Sequence, residues 1–241
     1  GSSKGKKGNQ EMTIKSISFD LDDTFWPLMP TIIEAEKKSR EWIKEKFPGV
    51  LVSLTKEVSI EIRDKLLKED PTIINRLSEL RLKIFYHASI RSGYSEEESE
   101  QMSKGAFQIF FEGRNKVTFY DHVIETLDIL KENYSLGVIT NGNADLHMIG
   151  IAGYFDYILS PAELNTHKPN PEIFEAALRA TGLRADEICH IGDHAINDVK
   201  ASHEFGCKAV WFNEHQEEFE LDIQVPSFTN WKDLPELLKN I

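Results

Sequence analysis

Ser18-Phe19-Asp20-Leu21-Asp22-Asp23-Thr24 is the stretch of the sequence that decides the fold. It closes a short apolar strand predicted over 14–19, so that Asp20 and Asp22 lie where a buried strand ends. Like charges this close repel, so the pair needs a cation or a shared proton. Because ligands bind at the carboxyl ends of strands in open α/β sheets, we interpret Asp20 as a nucleophile beside a divalent metal and Asp22 as an acid/base. The alternative is a polar turn in which an aspartate caps the next helix.

The composition indicates a globular protein with one good-sized core, or one core with a second small module. Of the 241 residues, 28% are charged and 40% are hydrophobic. The formal charge of -12 argues against a nucleic-acid-binding protein, whose affinity depends on basic side chains. We expect Cys189 and Cys207 to be buried, reduced thiols. Residues 1–11 lack an apolar signal region and are interpreted as a tag or a disordered tail.

The sequence also bears on location and assembly. It contains no apolar run of about 18 residues, so we expect no membrane span. We expect a cytoplasmic protein, because its two cysteines suit a reducing compartment. An acidic composition and a modest size are compatible with a monomer or a homodimer.

The sequence after Trp26 has a helical pattern for roughly 85 residues, which is too long for a simple crossover between adjacent strands. Thr31 with Glu34 predicts a capping box near the start of the first helix, and Ser95 with Glu98 predicts another at the start of the last. The segment therefore encodes about four helices, inserted directly after the first strand.

This insertion defines the predicted domains. The α/β catalytic core comprises 12–26 and 116–241, and the inserted helices over 27–115 form a cap domain. A bundle inserted at the catalytic end of a sheet lies over the site and can exclude water. The alternative is a packing domain that makes no contact with a substrate.

Strands alternate with helices along the rest of the chain. Asp121 and Asn170 are each predicted to cap a helix, the second with Pro171 at its first position. The four further strands are predicted over 135–139, 156–159, 188–191 and 209–212. The expected fold class is therefore α/β, a doubly wound parallel sheet with an inserted helical cap.

Three later polar clusters complement the two aspartates. Thr140-Asn141-Gly142 offers a hydroxyl, a backbone N–H and a flexible glycine, which suit close approach to phosphate oxygens. Lys168 brings a compact positive charge near the start of a helix. Asp193 and Asp198 add carboxylates that suit a hard cation. Each cluster alone has an ordinary explanation, but together at the strand ends of one sheet they predict a site with metal ligands, a nucleophile and phosphate-binding groups.

These residues resemble the ordered motifs of a known family, the haloacid dehalogenase-like (HAD) hydrolase superfamily. The four matching motifs are Asp20-Leu21-Asp22-Asp23-Thr24, Thr140-Asn141-Gly142, Lys168-Pro169, and Gly192-Asp193 with Asn197-Asp198. The resemblance covers 14 to about 212, and the helical insert resembles the C1-type cap of that family. The stretches 139–144 and 153–156 are similar to bacterial phosphatases that act on FMN and on the ribitylaminouracil phosphate of riboflavin synthesis.

The resemblance implies a mechanism for phosphate ester hydrolysis. Asp20 would attack phosphorus and form an aspartyl-phosphate, while Asp22 would protonate the departing alkoxide and later activate water. Mg²⁺ would be held by Asp20, by the backbone carbonyl of Asp22 and by Asp193. Asp198 would bind the metal through water or support its ligands.

The same resemblance assigns the phosphate-binding groups. Lys168 and Mg²⁺ would offset the negative charge of the substrate and the nucleophile. The Thr140 hydroxyl and the Asn141 N–H would bind the phosphoryl oxygens. The expected partner is a small-molecule phosphate ester, and FMN or a riboflavin-pathway phosphate is one possibility.

Other activities of the same fold remain open. Haloacid dehalogenases and phosphonatases resemble this fold but lack an aspartate at the position of Asp22, so its presence favours phosphate esters. A phosphomutase would retain Asp22, and only release of inorganic phosphate distinguishes it. A catalytically silent binding protein would be expected to have lost a carboxylate or the lysine. Phe25 and Trp26 are predicted either to stack on an aromatic substrate or to pack in the core.

Overall fold

The computed structural model describes residues 13–218 and 221–241, and the tail predicted over 1–11 lies outside these ranges. Within them, six parallel strands form one sheet in the order β3-β2-β1-β4-β5-β6. The strands are β1 (Ser16–Phe19), β2 (Ser135–Ile139), β3 (Tyr157–Leu159), β4 (Ile188–Gly192), β5 (Lys208–Phe212) and β6 (Ser227–Phe228). The predicted parallel α/β sheet is confirmed.

Strand β1 lies in the middle of the sheet, between β2 and β4. Its last residue, Phe19, is in register with Val138 of β2 and with Ile191 of β4. The strand order reverses at β1, which opens a crevice at the carboxyl ends of these strands. Asp20 directly follows β1 and therefore lies at this crevice.

All four residues of β1 are buried, including two serines. The Ser16 Oγ lies 3.0 Å from the Tyr157 hydroxyl, and the Ser18 Oγ lies 2.8 Å from Nδ1 of His190. Buried polar atoms are costly unless they are hydrogen-bonded. These two bonds satisfy the serines and tie β1 to side chains of β3 and β4.

Short helices connect the strands, and one more follows the last strand. They are α5 (Val123–Lys131), α6 (Leu146–Ile149), α7 (Pro161–Leu164), α8 (Pro171–Thr181), α9 (Ala201–Phe205) and α10 (Leu234–Lys239). Helix α8 begins at Pro171 after Asn170, as predicted, but the Asn170 side chain makes no capping hydrogen bond. The helix ends before Gly182, whose φ is +67°. The predicted helix cap at Asp121 is wrong. Helix α5 begins at Val123, and the residue before it, His122, has a left-handed backbone conformation (φ +71°).

The sixth strand, β6, was not predicted from the sequence. It has only two residues, in register with Trp211 and Phe212 of β5. Two residues are too few to show the alternation that identifies a strand. Pairing with β5 therefore defines this strand, because its own sequence pattern does not.

The described segment between β1 and α5 contains four long α-helices, as predicted. They are α1 (Leu28–Lys46), α2 (Lys56–Glu69), α3 (Leu77–Arg91) and α4 (Glu96–Arg114). They share an apolar core of their own, which includes Ile43, Ile62, Leu80 and Met102. A separate core supports the predicted cap over 27–115, although the domain boundaries stay a prediction.

The two capping boxes predicted for this insert have different outcomes. The box at Ser95 and Glu98 is confirmed, because each side chain accepts a hydrogen bond from the other residue's backbone N–H. The prediction of a capping box at Thr31 and Glu34 is wrong. Helix α1 begins at Leu28, whose N–H donates to Asp23 Oδ1 at 2.9 Å, so Thr31 lies inside the helix.

An aromatic cluster packs below the end of β1. Phe25 lies against Phe19 and Trp231, with ring centroids 5.2 and 5.4 Å away. Both Phe25 and Trp26 have no exposed surface. Of the two alternatives for this pair, the structure supports core packing, since a fully covered ring has no face for a substrate.

Two further observations bear on expectations drawn from the sequence. Cys189 and Cys207 are buried and are not disulfide-bonded. Across residues 13–218 and 221–241, no helix combines the length and the apolar character that a membrane crossing needs.

The close packing of β2 against the Tyr157 ring of β3 can be tested by a substitution at Gly137. A Cβ at Gly137 would lie 2.0 Å from the Tyr157 ring, which is itself fixed by Ser16. We expect Gly137→Ala to lower the free energy of unfolding by about 1–3 kcal/mol through overpacking. Chemical denaturation measures this loss. Gly153→Ala is the control, because nothing lies within 4 Å of its Cβ position, and it should change stability by less than about 0.5 kcal/mol.

Candidate active site

A buried lysine lies at the centre of the predicted site. The Lys168 Nζ is 3.1 Å from Asp20 Oδ1 and 2.6 Å from Asp198 Oδ1. The lysine and Asp198 side chains are at most 2% exposed, and the Asp20 side chain is 12% exposed. The structure thus brings together three predicted site residues that are far apart in the sequence. Asp20 directly follows β1, Asp198 lies in the helical turn Ala195–Lys200 after β4, and Lys168 lies in the loop before α8.

Asn141 holds the backbone of this lysine. Its side-chain Oδ1 accepts from the Lys168 N–H at 2.8 Å, and its Nδ2 donates to the Lys168 carbonyl at 2.9 Å. The pair of bonds fixes the lysine loop against the loop after β2. The Asn141 side chain is thereby committed to Lys168, which leaves its backbone N–H as the group predicted to bind phosphate.

The Thr140 side chain is buried in the same loop. Its Oγ1 accepts a hydrogen bond from the Gly142 N–H at 3.0 Å, and its own backbone N–H donates to the Leu159 carbonyl at 3.1 Å. These bonds hold the loop after β2 in a tight turn beside β3.

Three carboxylates gather beside the lysine. One oxygen from each of Asp20, Asp193 and Asp198 lies within 4.8 Å of the others. Thr24 joins the cluster, with its hydroxyl donating to Asp193 Oδ1 at 3.0 Å. Hard oxygen donors at this spacing fit a divalent cation such as Mg²⁺ or Ca²⁺.

The electrostatics of the cluster favour a cation as well. Burial raises the pKa of Asp20 well above its usual value, and the Asp198 carboxylate adds to this rise. Burial likewise raises the pKa of Asp193. Burial alone would lower the pKa of Lys168, but attraction by Asp198 and Asp20 raises it to about 12. One lysine therefore balances only part of the negative charge, and a divalent ion would offset the remainder.

His190 supports Asp198 from within β4. Its Nε2 lies 2.9 Å from Asp198 Oδ1, and its Nδ1 lies 2.8 Å from the Ser18 hydroxyl. Burial lowers the pKa of His190 and so favours its neutral form, while the Asp198 carboxylate opposes this shift. The His194 N–H donates to the other Asp198 oxygen at 3.1 Å. With Lys168 also bound, Asp198 is held on several sides, an arrangement that suits a supporting residue.

Asp22 lies apart from the carboxylate cluster. Its Oδ1 accepts from the Trp26 indole N–H at 2.9 Å, and its Oδ2 pairs with Nη2 of Arg114 at 2.6 Å. Its side chain is therefore committed to an arginine rather than to the acidic cluster. Any contact of Asp22 with a metal would involve its backbone carbonyl, as the sequence-based interpretation has it.

Sequence reasoning missed three residues that shape the site. Arg114 ends α4, where a basic residue is expected simply to complement the helix dipole. Trp26 was considered only as a stacking or core residue, and its hydrogen bond to Asp22 was not foreseen. His190, a residue of β4, bonds to Asp198 through its Nε2. None of these contacts has a sequence signal, because each depends on tertiary placement.

The buried lysine gives a test of this electrostatic arrangement. We expect Lys168→Met to lower the free energy of unfolding by about 3–5 kcal/mol at pH 8, because it leaves buried carboxylates without their counter-charge. Since burial already raises the pKa of Asp20, protonation of that carboxyl should relieve part of the loss at pH 5. Urea denaturation in EDTA at both pH values measures the difference.

The control for this variant is Lys44→Met on the exposed face of α1, which should shift stability by less than about 0.5 kcal/mol. An equal loss for Lys168→Met at pH 5 and pH 8 would contradict the assignment of Asp20 as the carboxyl that takes up the proton.

Known proteins resemble this chain over most of its length. The chain is 27% identical over 198 residues to a 5-amino-6-(5-phospho-D-ribitylamino)uracil phosphatase of Escherichia coli, covering 82% of this chain and 83% of that protein. It is 25% identical over 236 residues to a glyceraldehyde 3-phosphate phosphatase of Methanocaldococcus jannaschii, covering 95% and 98%.

A solved structure is similar in fold and sequence. The crystal structure of a 2-haloacid dehalogenase from Pseudomonas syringae pv. Tomato superposes with a TM-score of 0.91 at 37% identity, covering 95% of this chain and 99% of that one. The profile of the haloacid dehalogenase-like hydrolase family matches residues 47–212. These matches, with the predicted motifs gathered at the carboxyl end of one parallel sheet, establish that the chain belongs to the haloacid dehalogenase-like hydrolases and is an enzyme of that family.

Proposed function

We propose that this hydrolase is a Mg²⁺-dependent phosphatase that acts on a small phosphorylated metabolite. The observation that carries the proposal is the placement of Asp20 in contact with Lys168 and within 4.8 Å of the Asp193 and Asp198 carboxylates, with a second aspartate, Asp22, two residues away in the sequence. A nucleophile in contact with a lysine and a separate acid are the two groups that a phosphate ester requires.

The acidic cluster has the donors that Mg²⁺ prefers. Asp20, Asp193 and the backbone carbonyl of Asp22 would hold the ion, with Asp198 as a water-mediated ligand or a support. When bound, Mg²⁺ supplies positive charge to the phosphoryl oxygens.

Asp20 would act as the nucleophile. One carboxylate oxygen forms a bond to phosphorus while the bond from phosphorus to the ester oxygen breaks, which gives an aspartyl-phosphate and an alcohol. Lys168 contacts Asp20 and offsets the repulsion between the carboxylate and the anionic phosphate. The Thr140 hydroxyl and the Asn141 N–H would bind the phosphoryl oxygens.

Asp22 would act first as an acid and then as a base. It gives its proton to the departing alkoxide, and it then takes a proton from the water that hydrolyses the aspartyl-phosphate. Trp26 orients Asp22 by a hydrogen bond, and this indole is fully buried. The Asp22 carboxyl group is therefore oriented by a rigid, buried indole.

The relatives support phosphate ester chemistry and leave the substrate open. The E. coli relative is a ribitylaminouracil phosphate phosphatase, and the M. jannaschii relative acts on glyceraldehyde 3-phosphate. We propose a phosphorylated metabolite of this size, with FMN or a riboflavin-pathway phosphate as one candidate. The phosphomutase alternative stays open, as do the predictions of a cytoplasmic location and of a monomer or homodimer.

Dehalogenation is the second candidate, because the solved structure described above, which is 37% identical to this chain, is that of a 2-haloacid dehalogenase. In that reaction Asp20 would attack carbon and expel halide, which needs no acid. Asp22, fixed by Trp26 and Arg114, would then have no role in the chemistry. Halide release from 2-chloropropionate, compared with phosphate release from p-nitrophenyl phosphate, separates the two candidates.

The nucleophile can be tested directly. We expect Asp20→Asn to reduce phosphate release from p-nitrophenyl phosphate by at least about 10³-fold, because an amide oxygen is a poor nucleophile. Circular dichroism should show an unchanged fold. Asp64→Asn, at an exposed position of α2, is the control and should retain wild-type activity. Full activity in Asp20→Asn would show that another residue attacks phosphorus.

The metal can be tested by removal. We expect EDTA to abolish phosphate release and excess Mg²⁺ to restore it, because three clustered carboxylates, two of them buried, and one lysine leave uncompensated negative charge. Differential scanning fluorimetry should show a higher Tm with Mg²⁺ than with EDTA, since an ion that binds only the folded state stabilises it. Phosphate release that is indifferent to EDTA would contradict the proposed site.

A further inference from the structure

A buried serine and a buried histidine connect β1 to the aspartate that binds Lys168. The Ser18 Oγ lies 2.8 Å from Nδ1 of His190, and Nε2 of His190 lies 2.9 Å from Asp198 Oδ1. Ser18 has no exposed surface, and the His190 and Asp198 side chains are at most 1% exposed. Because these side chains have so little contact with solvent, each of their polar atoms depends on its partner within the protein.

The Asp198 carboxylate decides what the nearer ring nitrogen of His190 must carry. Its Oδ1 also accepts from the Lys168 Nζ at 2.6 Å. Although burial opposes it, attraction by Lys168 holds the pKa of Asp198 below its usual value. An ionised carboxylate only accepts hydrogen bonds, so the His190 Nε2 that faces it carries a hydrogen. The opposite tautomer would place two acceptors 2.9 Å apart.

Ser18 faces the second ring nitrogen of His190. A neutral imidazole with its hydrogen on Nε2 has a lone pair on Nδ1, which accepts a hydrogen bond. A doubly protonated ring would place a second cation on the carboxylate oxygen that already binds the Lys168 ammonium. Burial also lowers the pKa of His190, against the attraction of Asp198. The Ser18 hydroxyl therefore donates to Nδ1.

The contacts continue from His190 to the proposed nucleophile. The Lys168 Nζ lies 2.6 Å from Asp198 Oδ1 and 3.1 Å from Asp20 Oδ1. The other oxygen of Asp198, Oδ2, accepts from the His194 N–H at 3.1 Å. The ring hydrogen of His190 thus helps to fix the orientation of the Asp198 carboxylate. That carboxylate in turn holds Lys168 beside Asp20.

We propose that Ser18 is a positioning residue, whose hydroxyl selects the tautomer of His190 that donates to Asp198. It acts on the site through the histidine, by keeping the Asp198 carboxylate oriented toward Lys168. Without the Ser18 hydroxyl, Nδ1 would be buried with no donor, and the hydrogen of the ring would no longer be confined to Nε2. This inference rests on the proposed function in one respect, the assignment of Asp20 as the nucleophile.

Ser16 provides a matched control in the same strand. It is also fully buried in β1, two residues from Ser18, but its Oγ lies 3.0 Å from the Tyr157 hydroxyl. Ser16→Ala and Ser18→Ala each remove one buried hydroxyl from β1, so a loss of stability is expected in both variants. A change in the His190 ring is expected only in Ser18→Ala.

Nuclear magnetic resonance of protein labelled with ¹⁵N-histidine measures the ring directly. We expect long-range ¹H–¹⁵N correlations of the wild-type protein at pH 8 to show a neutral His190 with its hydrogen on Nε2, in EDTA and in Mg²⁺. Ser18→Ala should lose this single tautomer, and Ser16→Ala should keep it. The spectrum of His190→Gln assigns the signals by their absence.

The wild-type spectrum tests the assignment without a substitution in the strand. A ring with its hydrogen on Nδ1, or a doubly protonated ring, would overturn the proposal. So would a Ser18→Ala spectrum in which His190 keeps the wild-type tautomer.

Kinetics measure the consequence for catalysis. We expect Ser18→Ala to lower kcat/KM for phosphate release from p-nitrophenyl phosphate about 10-fold, with a smaller loss in Ser16→Ala. In His190→Gln, an amide N–H can take the place of the Nε2–H and has no tautomer to select. Adding Ser18→Ala to His190→Gln should therefore cost less than about 2-fold. An equal loss in both backgrounds would show that Ser18 does not act through His190.

The two kinds of measurement separate this inference from the proposed function, because the spectrum does not depend on turnover. If the wild-type enzyme releases no phosphate but the His190 tautomer changes only in Ser18→Ala, the phosphatase proposal fails and the positioning of His190 by Ser18 stands. If phosphate is released and Ser18→Ala leaves the tautomer unchanged, the role of Ser18 fails alone.

Discussion

The ion pairs of Lys168 with Asp20 and Asp198 are the constraint on which the site depends. An ammonium group buried to this degree is stable only with close carboxylates, and carboxylates buried together are stable only with a cation. The lysine comes from the loop before α8, whereas the two aspartates follow β1 and β4. Mutual dependence of these charges therefore fixes three separate parts of the chain relative to one another, and it leaves a net negative cluster that suits a metal.

Polar contacts join the inserted segment to loops at the carboxyl edge of the sheet, in the region of the site. Asn75 bonds to Asn165 and His167, Ser78 bonds to Asn143, and Arg114 pairs with Asp22. The apolar side chains of the insert, by contrast, pack with one another in a separate core. Polar contacts can be exchanged for water at a modest free-energy cost. Separation of the insert from the sheet would therefore leave both apolar cores intact.

Residue patterns were sufficient to predict the parallel sheet and the residues at its carboxyl edge. Each predicted cluster follows an apolar run or precedes a helix, and parallel strands end on the same side. The start of α1 was mispredicted because Asp23, a residue of the motif itself, binds the first helical N–H. Arg114 was missed because its partner is 92 residues away in the sequence. Local patterns therefore locate reactive groups but do not show which distant side chains orient them.

The reciprocal bonds between Asn141 and Lys168 have a consequence for the chemical durability of the enzyme. The Asn141 amide accepts from the lysine N–H with its oxygen and donates to the lysine carbonyl with its nitrogen. Asn141 is followed by glycine, the neighbour that least hinders spontaneous loss of the amide nitrogen. Deamidation would replace the donor with a second acceptor facing the Lys168 carbonyl. Deamidation of Asn141 would therefore loosen the loop that carries Lys168, although the existing charged side chains of the site would be chemically unchanged.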